Sequence, residues 1–158
     1  MLFRSFPSHD ICYWNGGMSK GDFKKVIADG IDAVIIRCGY SSKGSLCNKD
    51  SKFVGNLKNA KNAGLPVGAY FYGAATSVAE AKKEAKYAVS LCKGEGLEYP
   101  LFYDVEDNAT MGKLSKGELT DVVKEFCKIV AESGLKTGVY ASYSWLESKW
   151  VLLDIQYG

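Results

Sequence analysis

Leu101-Phe102-Tyr103-Asp104-Val105-Glu106-Asp107 follows Tyr99-Pro100 as an apolar, aromatic-rich run that ends in three carboxylates. It reads as a strand. Side chains alternate along a strand, so Asp104 and Glu106 share one side while Val105 and Asp107 take the other. Two acids on one face at a strand's C-terminal end suit a reaction that needs one proton donor and one anion, and glycoside hydrolysis is such a reaction. The plainer reading is a solvated strand end or a helix cap.

Working outward, the same architecture repeats on both sides. Leu65-Pro66-Val67-Gly68-Ala69-Tyr70-Phe71-Tyr72 predicts the preceding strand, and Ser77 to Lys93 the alanine- and lysine-rich helix between them. Downstream, Ser115-Lys116-Gly117-Glu118 is a capping-box pattern opening a helix with Leu119, Val122, Val123, Phe126 and Val130 on its buried stripe. A strand over Lys136 to Tyr143 follows, and Ser144 to Lys149 predicts the start of a short helix. Nearer the N-terminus, Ala33-Val34-Ile35-Ile36-Arg37-Cys38-Gly39 has the almost unbroken apolar character of a parallel strand covered on both faces. His9 to Trp14 predicts the first strand, with a turn at Asn15-Gly16-Gly17. Ser19 then caps a helix that carries Phe23, Val26 and Ile27 and stops at Gly30. Ser41 to Asn48 predicts a polar loop, before a helix with Phe53, Leu57 and Ala60 closed by Gly64.

Strand and helix thus alternate at a spacing of roughly 30 residues, the rhythm of βαβ units. A doubly wound open sheet and a (β/α) barrel both fit. Asn15-Gly16-Gly17-Met18 does not supply the GxGxxG that a dinucleotide-binding sheet wants after its first strand. Polar and aromatic residues collect where a barrel keeps its active site, at the strands' C-terminal ends: Asp10 and Trp14, Arg37, Tyr70 and Tyr72, Asp104 and Glu106, Tyr140 and Tyr143. The expected fold is therefore α/β, a TIM-like barrel.

Composition narrows the chemistry. The 158 residues are 47% hydrophobic and 24% charged, the profile of one globular domain. No apolar run is long enough to span a bilayer. The net charge is +2, and arginine occurs only at Arg4 and Arg37, so a nucleic-acid surface built on arginine forks is not expected. The nearly all-lysine basic side suits weak attraction to an anionic polymer. The five cysteines, Cys12, Cys38, Cys47, Cys92 and Cys127, include no CxxC pair and predict neither a disulfide framework nor a zinc site. Cys12, Cys38 and Cys127 read as small core residues. His9 is the sole histidine and no serine or cysteine motif accompanies it, so a Ser-His-Asp or Cys-His hydrolase is not expected, and a multi-histidine zinc amidase is excluded for want of ligands. No cofactor or metal is expected. The N-terminal apolar run is too short for a secretory signal, so synthesis in the cytoplasm and export by another route are expected.

The candidate residues carry competing readings. Asp10, four residues before Trp14, is either a turn residue or a third acid of the site. Asp107, on the opposite side from the pair, reads as a loop or capping residue. Arg37 lies inside an apolar strand, where an unpaired charge is costly; a structural ion pair and a substrate contact are equally good partners for it. Tyr70, Tyr72 and Tyr140, with Trp14, form either an aromatic floor for sugar rings or ordinary strand packing.

His-Asp-Ile-Cys-Tyr-Trp at 9–14, Ala-Val-Ile-Ile-Arg-Cys-Gly-Tyr at 33–40, Ala-Gly-Leu-Pro-Val-Gly-Ala-Tyr-Phe-Tyr at 63–72, Tyr-Asp-Val-Glu-Asp at 103–107 and Thr-Gly-Val-Tyr-Ala at 137–141 together resemble the glycoside hydrolase family 25 lysozymes. The match runs in order from residue 9 to 146, within a single catalytic domain over 1–158. The resemblance implies a barrel of five βα units closed by three further strands. It implies cleavage of the β-1,4 bond between N-acetylmuramic acid and N-acetylglucosamine of peptidoglycan, at the cell wall. Glu106 would be the general acid. Asp104 would stabilise the oxocarbenium-like transition state, directly or by orienting the substrate's N-acetyl group, and Asp10 would complete the acidic cluster. Family members run on for several tens of residues, so a shortened tail over 147–158 is expected, with Val151–Gly158 as a sixth strand and the last two absent. An open barrel edge favours pairing with a second copy. The second class of function is a non-catalytic, glycan-binding remnant of such an enzyme.

Overall fold

The computed structural model describes residues 8–11, 13–142 and 144–145. Cys12, Tyr143, most of the helix expected over 144–149 and the sixth strand expected at Val151–Gly158 lie outside the described residues. In chain order the elements are β1 (Ser8–Ile11), α1 (Lys20–Ala28), β2 (Ala33–Ser42), β3 (Ser45–Lys49), α2 (Phe53–Ala63), β4 (Val67–Tyr72), α3 (Val78–Cys92), β5 (Leu101–Asp104), α4 (Lys116–Glu132) and β6 (Thr137–Tyr140). The predicted helix signals hold. Ser19 and Ser115 close reciprocal capping boxes with Asp22 and Glu118, Ser77 caps α3, and Gly64 ends α2 with φ +89°.

β1, β2, β4, β5 and β6 form a parallel sheet in that order. Among the described residues it is not closed, since β1 pairs only with β2 and β6 only with β5. One face of the sheet is apolar and covered by helices. Val34, Ile36 and Cys38 on β2, Val67, Ala69 and Phe71 on β4, and Leu101 and Tyr103 on β5 are all buried there, with Phe23, Phe53, Leu57, Ala81, Ala85, Ala88 and Phe126 from the helices. The alternate residues point the other way, and period two hands them to the site face.

Two expectations are corrected. Ser41–Asn48 is not simply a loop: Ser45–Lys49 is a strand antiparallel to β2, turned back at Gly44 with φ +80°. Its side chains are mostly polar and half exposed, so no hydrophobic alternation marks it. Its backbone comes so close to β2 that a Cβ on Gly39 would lie 2.6 Å from the Asn48 carbonyl oxygen. The first strand, expected to reach Trp14, ends at Ile11; Tyr13–Asn15 is a 3-10 turn, and Trp14 is 83% exposed on it. Gly16, with φ +72°, reverses the chain directly after.

Candidate active site

Strand register assembles the site face. Tyr40, Tyr72, Asp104 and Tyr140 are successive partners across β2, β4, β5 and β6, so their side chains stand in one row at the strands' C-terminal ends. Beneath them runs a second row: Arg37, Tyr70, Phe102 and Gly138. A bulge in β2 between Arg37 and Gly39 brings Arg37 and Tyr40, three residues apart, onto one face. The Arg37 guanidinium carbon then lies 4.9 Å from the Tyr40 ring centroid.

Asp104 is the last residue of β5 and is buried. Its carbonyl oxygen accepts the Gly73 N–H at 2.9 Å, and the next amide, Val105 N–H, reaches the Tyr140 carbonyl at 3.1 Å. Its carboxyl Oδ1 has no hydrogen-bond partner among the described residues. Burial, first, and then the negative charges of Glu106 and Asp10 push the Asp104 carboxyl up from 3.8 to about 7; the Glu106 backbone amide and Arg37 pull in the opposite direction. Glu106, half-buried just past the strand, accepts the Ser142 backbone N–H, which ties it to the segment following β6.

Asp10 acts on Asp104 and also on Tyr140, although β1 stands three and four strands away from β5 and β6. A flat sheet would separate these positions by about 14–19 Å. The sheet curls, and the curl gathers the three acids. Half-buried Tyr72 is pushed up to about 12, by burial first and then by Asp107, Asp104 and Glu106. Burial and the same cluster, led by Asp10, raise Tyr140. Both phenols remain protonated and able to donate toward a sugar oxygen.

The other candidates divide. Asp107 serves its own turn: its carboxylate accepts the Ala109 and Thr110 amides at 2.7 and 3.2 Å. Arg37 has a buried ion-pair partner, Asp50, at 2.8 Å, with Asp50 only 1% exposed. The guanidinium still acts on Asp104 through space. Tyr70 is half-buried in the lower row. Trp14, exposed on the turn after β1, is held indirectly, since Asn56 of α2 accepts the Met18 N–H at 2.8 Å and donates to the Gly16 carbonyl at 3.1 Å.

Sequence reasoning passed over a buried polar knot beneath the site. Glu84 of α3 is fully buried and accepts the Ala74 N–H at 3.0 Å and the Tyr103 hydroxyl at 2.5 Å. The Tyr103 ring stacks on Phe126 with centroids 3.8 Å apart, and leaves no room for a Cβ on Gly73. The signal was there: Glu84 falls on the stripe of Ala81, Ala85 and Ala88, where an acid needs a partner. Among the described residues no cluster of three or more ligating side chains suited to a metal ion is present.

The model of glycosyl hydrolases family 25 matches residues 9–156. No curated protein matches the chain in sequence. Among solved structures, the modular autolysin LytC from Streptococcus pneumoniae superposes with a TM-score of 0.76 at 28% identity, over 90% of this chain and 33% of that one. LytC has also been solved in complex with a synthetic peptidoglycan ligand. A bacterial lysozyme from Streptomyces coelicolor shares the fold, with a TM-score of 0.71 at 24% identity over 88% of this chain and 64% of the other. The chain thus spans about a third of the autolysin's length and just under two thirds of that lysozyme's.

Proposed function

Since the chain belongs to glycosyl hydrolases family 25, we propose that it is a peptidoglycan muramidase cutting the β-1,4 bond between N-acetylmuramic acid and N-acetylglucosamine at the cell wall. The observation that carries this reading is the Asp104 carboxyl, raised to about 7 by burial first and then by Glu106 and Asp10, with one buried oxygen that no described residue hydrogen-bonds.

Glycoside hydrolysis needs a proton on the departing oxygen and negative charge where the anomeric carbon becomes cationic. Glu106 stands at the mouth of the cluster, held by Ser142, and is the donor. Asp104 lies deeper. Its carboxylate would supply negative charge to the cationic anomeric carbon, directly or by orienting the substrate's N-acetyl group. Asp10 adds negative charge from across the curled sheet. Tyr72 and Tyr140 flank Asp104 in register and offer rings for stacking and hydroxyls for hydrogen bonds.

Purified protein and its Glu106→Gln variant, added to peptidoglycan, test the reading through loss of turbidity and appearance of reducing ends. The wild type should clear the wall, and Glu106→Gln should be slower by about 10²–10⁴-fold, the range for loss of a general acid. A wild type that binds the wall without releasing reducing ends is a glycan-binding remnant. Equal clearing by both removes Glu106 from its role.

A further inference from the structure

The lysines are not spread evenly. Residues 43–93 contain nine lysines and three acids, whereas residues 94–158 contain six lysines and eleven acids. Burial sharpens the contrast. Asp50 is 1% exposed and bonded to Arg37, Glu84 is fully buried, and Glu80 is half-buried and accepts both bonds from Thr76. Lys43, Lys49, Lys58, Lys61, Lys82, Lys83, Lys86 and Lys93 are all exposed. Every fully exposed charged side chain in this half-hundred-residue stretch is therefore cationic, and none of these lysines has an ion-pair partner among the described residues.

The fold makes this stretch one surface. α3 packs on β3 and β2, and Lys83 lies near enough to Cys47 of β3 to act on its thiol. At the far end Lys61 of α2 donates to the Glu95 carbonyl just past α3, at 2.6 Å. On α3 itself Lys82, Lys83 and Lys86 fall at i, i+1 and i+4, along one side of the helix. The acids of the site occupy the C-terminal ends of β1 and β5 instead, so a polyanion is drawn to the helices and repelled from the cleft.

We propose that the face formed by the β2–β3 hairpin, α2 and α3 is a docking surface for the anionic phosphodiester polymer of a bacterial cell wall. The occupant is chosen by charge complementarity: a cationic surface without arginine forks or exposed aromatic stacking residues suits a flexible chain of phosphates better than a base-reading contact. The assignment of a wall polymer, rather than another polyanion, rests on the muramidase reading. Docking would hold the protein on its substrate mesh while leaving the cleft open to glycan.

The test separates docking from hydrolysis. The Glu106→Gln protein is sedimented with intact walls and with walls stripped of phosphodiester polymer by hydrofluoric acid, at several salt concentrations. Binding to intact walls should fall about twentyfold to fortyfold between about 50 and 200 mM salt if three phosphates are neutralised, and stripped walls should bind weakly throughout. The triple variant Lys82→Glu/Lys83→Glu/Lys86→Glu should lose binding to intact walls, with its melting temperature checked, and a Lys→Gln version of the same triple should lose part of it. Lys124→Glu/Lys128→Glu on α4 should bind as the parent does. Equal binding to stripped walls, or retention by the charge-reversed triple, overturns the proposal. So does equal affinity for DNA or anionic lipid vesicles at matched phosphate. Hydrolysis of stripped walls by the enzyme with Glu106 intact is scored separately, so failed docking and failed catalysis give different results.

Discussion

Replacing Asp104 with asparagine should stabilise the protein at alkaline pH while disabling it. In the unfolded chain this carboxyl titrates near 3.8; in the folded protein it titrates at about 7 because burial, Glu106 and Asp10 oppose its charge. Between those two values the unfolded state has released a proton that the native state retains, so native stability falls by up to about 1.4 kcal/mol for each pH unit. The contribution present at low pH is lost as pH rises through the folded value. Two-state linkage between 3.8 and about 7 gives a loss of about 2–3 kcal/mol from pH 5 to pH 8. Asparagine has the same shape and no charge to bury, so Asp104→Asn should lack this slope. Urea melts of both proteins at the two pH values read the effect directly. The variant's advantage should grow by about 2–3 kcal/mol toward pH 8, a gain of about 4–12 °C in melting temperature for a chain of this size. An advantage independent of pH, or one that shrinks toward pH 8, would refute the account of Asp104 as a carboxyl held against its preferred ionisation.

Three further outcomes follow from neighbouring contacts. Arg37→Met leaves Asp50 charged and buried, and should cost about 3–5 kcal/mol in denaturant melts; it also removes a cation that lowers Asp104, so the pH profile of any remaining wall lysis should move to higher pH. Tyr103→Phe keeps the stacked ring but takes a hydroxyl from buried Glu84, and should cost about 1–3 kcal/mol in denaturant melts; burial already raises the Glu84 carboxyl, and loss of that donor raises it further. Gly73→Ala pushes a methyl to within 2.4 Å of the Tyr103 ring, which Phe126 prevents from retreating; a loss of about 1–3 kcal/mol is expected, with slower wall clearing because the Gly73 amide holds the Asp104 carbonyl.

What the sequence made legible was whatever depended on period and local chemistry. The apolar runs at 33–39 and 101–104, the capping serines and the terminal glycines located the parallel strands and their helices, and alternation put Asp104 on the face opposite Tyr103. β3 was not legible because its side chains are polar and half exposed; backbone pairing, not burial, makes it a strand. Asp50 was not legible as the partner of Arg37 because the pair spans the β2–β3 hairpin. The gathering of Asp10 with Asp104 was legible from the residues themselves only as similar positions on different strands, and as a cluster only through the family resemblance. Their electrical contact needs the curl of the sheet, a tertiary property that no local pattern encodes.

The row Tyr40, Tyr72, Asp104 and Tyr140 shows how the fold sets an ordinary acid among fixed neighbours that oppose its charge. In a parallel sheet residues in register share a face, so each side chain of the row has a fixed neighbour on either side. Asp104 sits between two phenols. Burial first, and then the neighbouring acids, raise both phenols as well, so they stay protonated beside the carboxyl. Aliphatic neighbours would desolvate Asp104 equally well but offer a sugar nothing to bond. Charged neighbours would bond it, but would either neutralise the carboxylate or repel it. Tyrosine on both flanks combines desolvation with hydrogen bonding, and the curl of the sheet adds Asp10 to keep the carboxyl high. The chemistry of the site is therefore a consequence of strand register as much as of the two acids at 104 and 106.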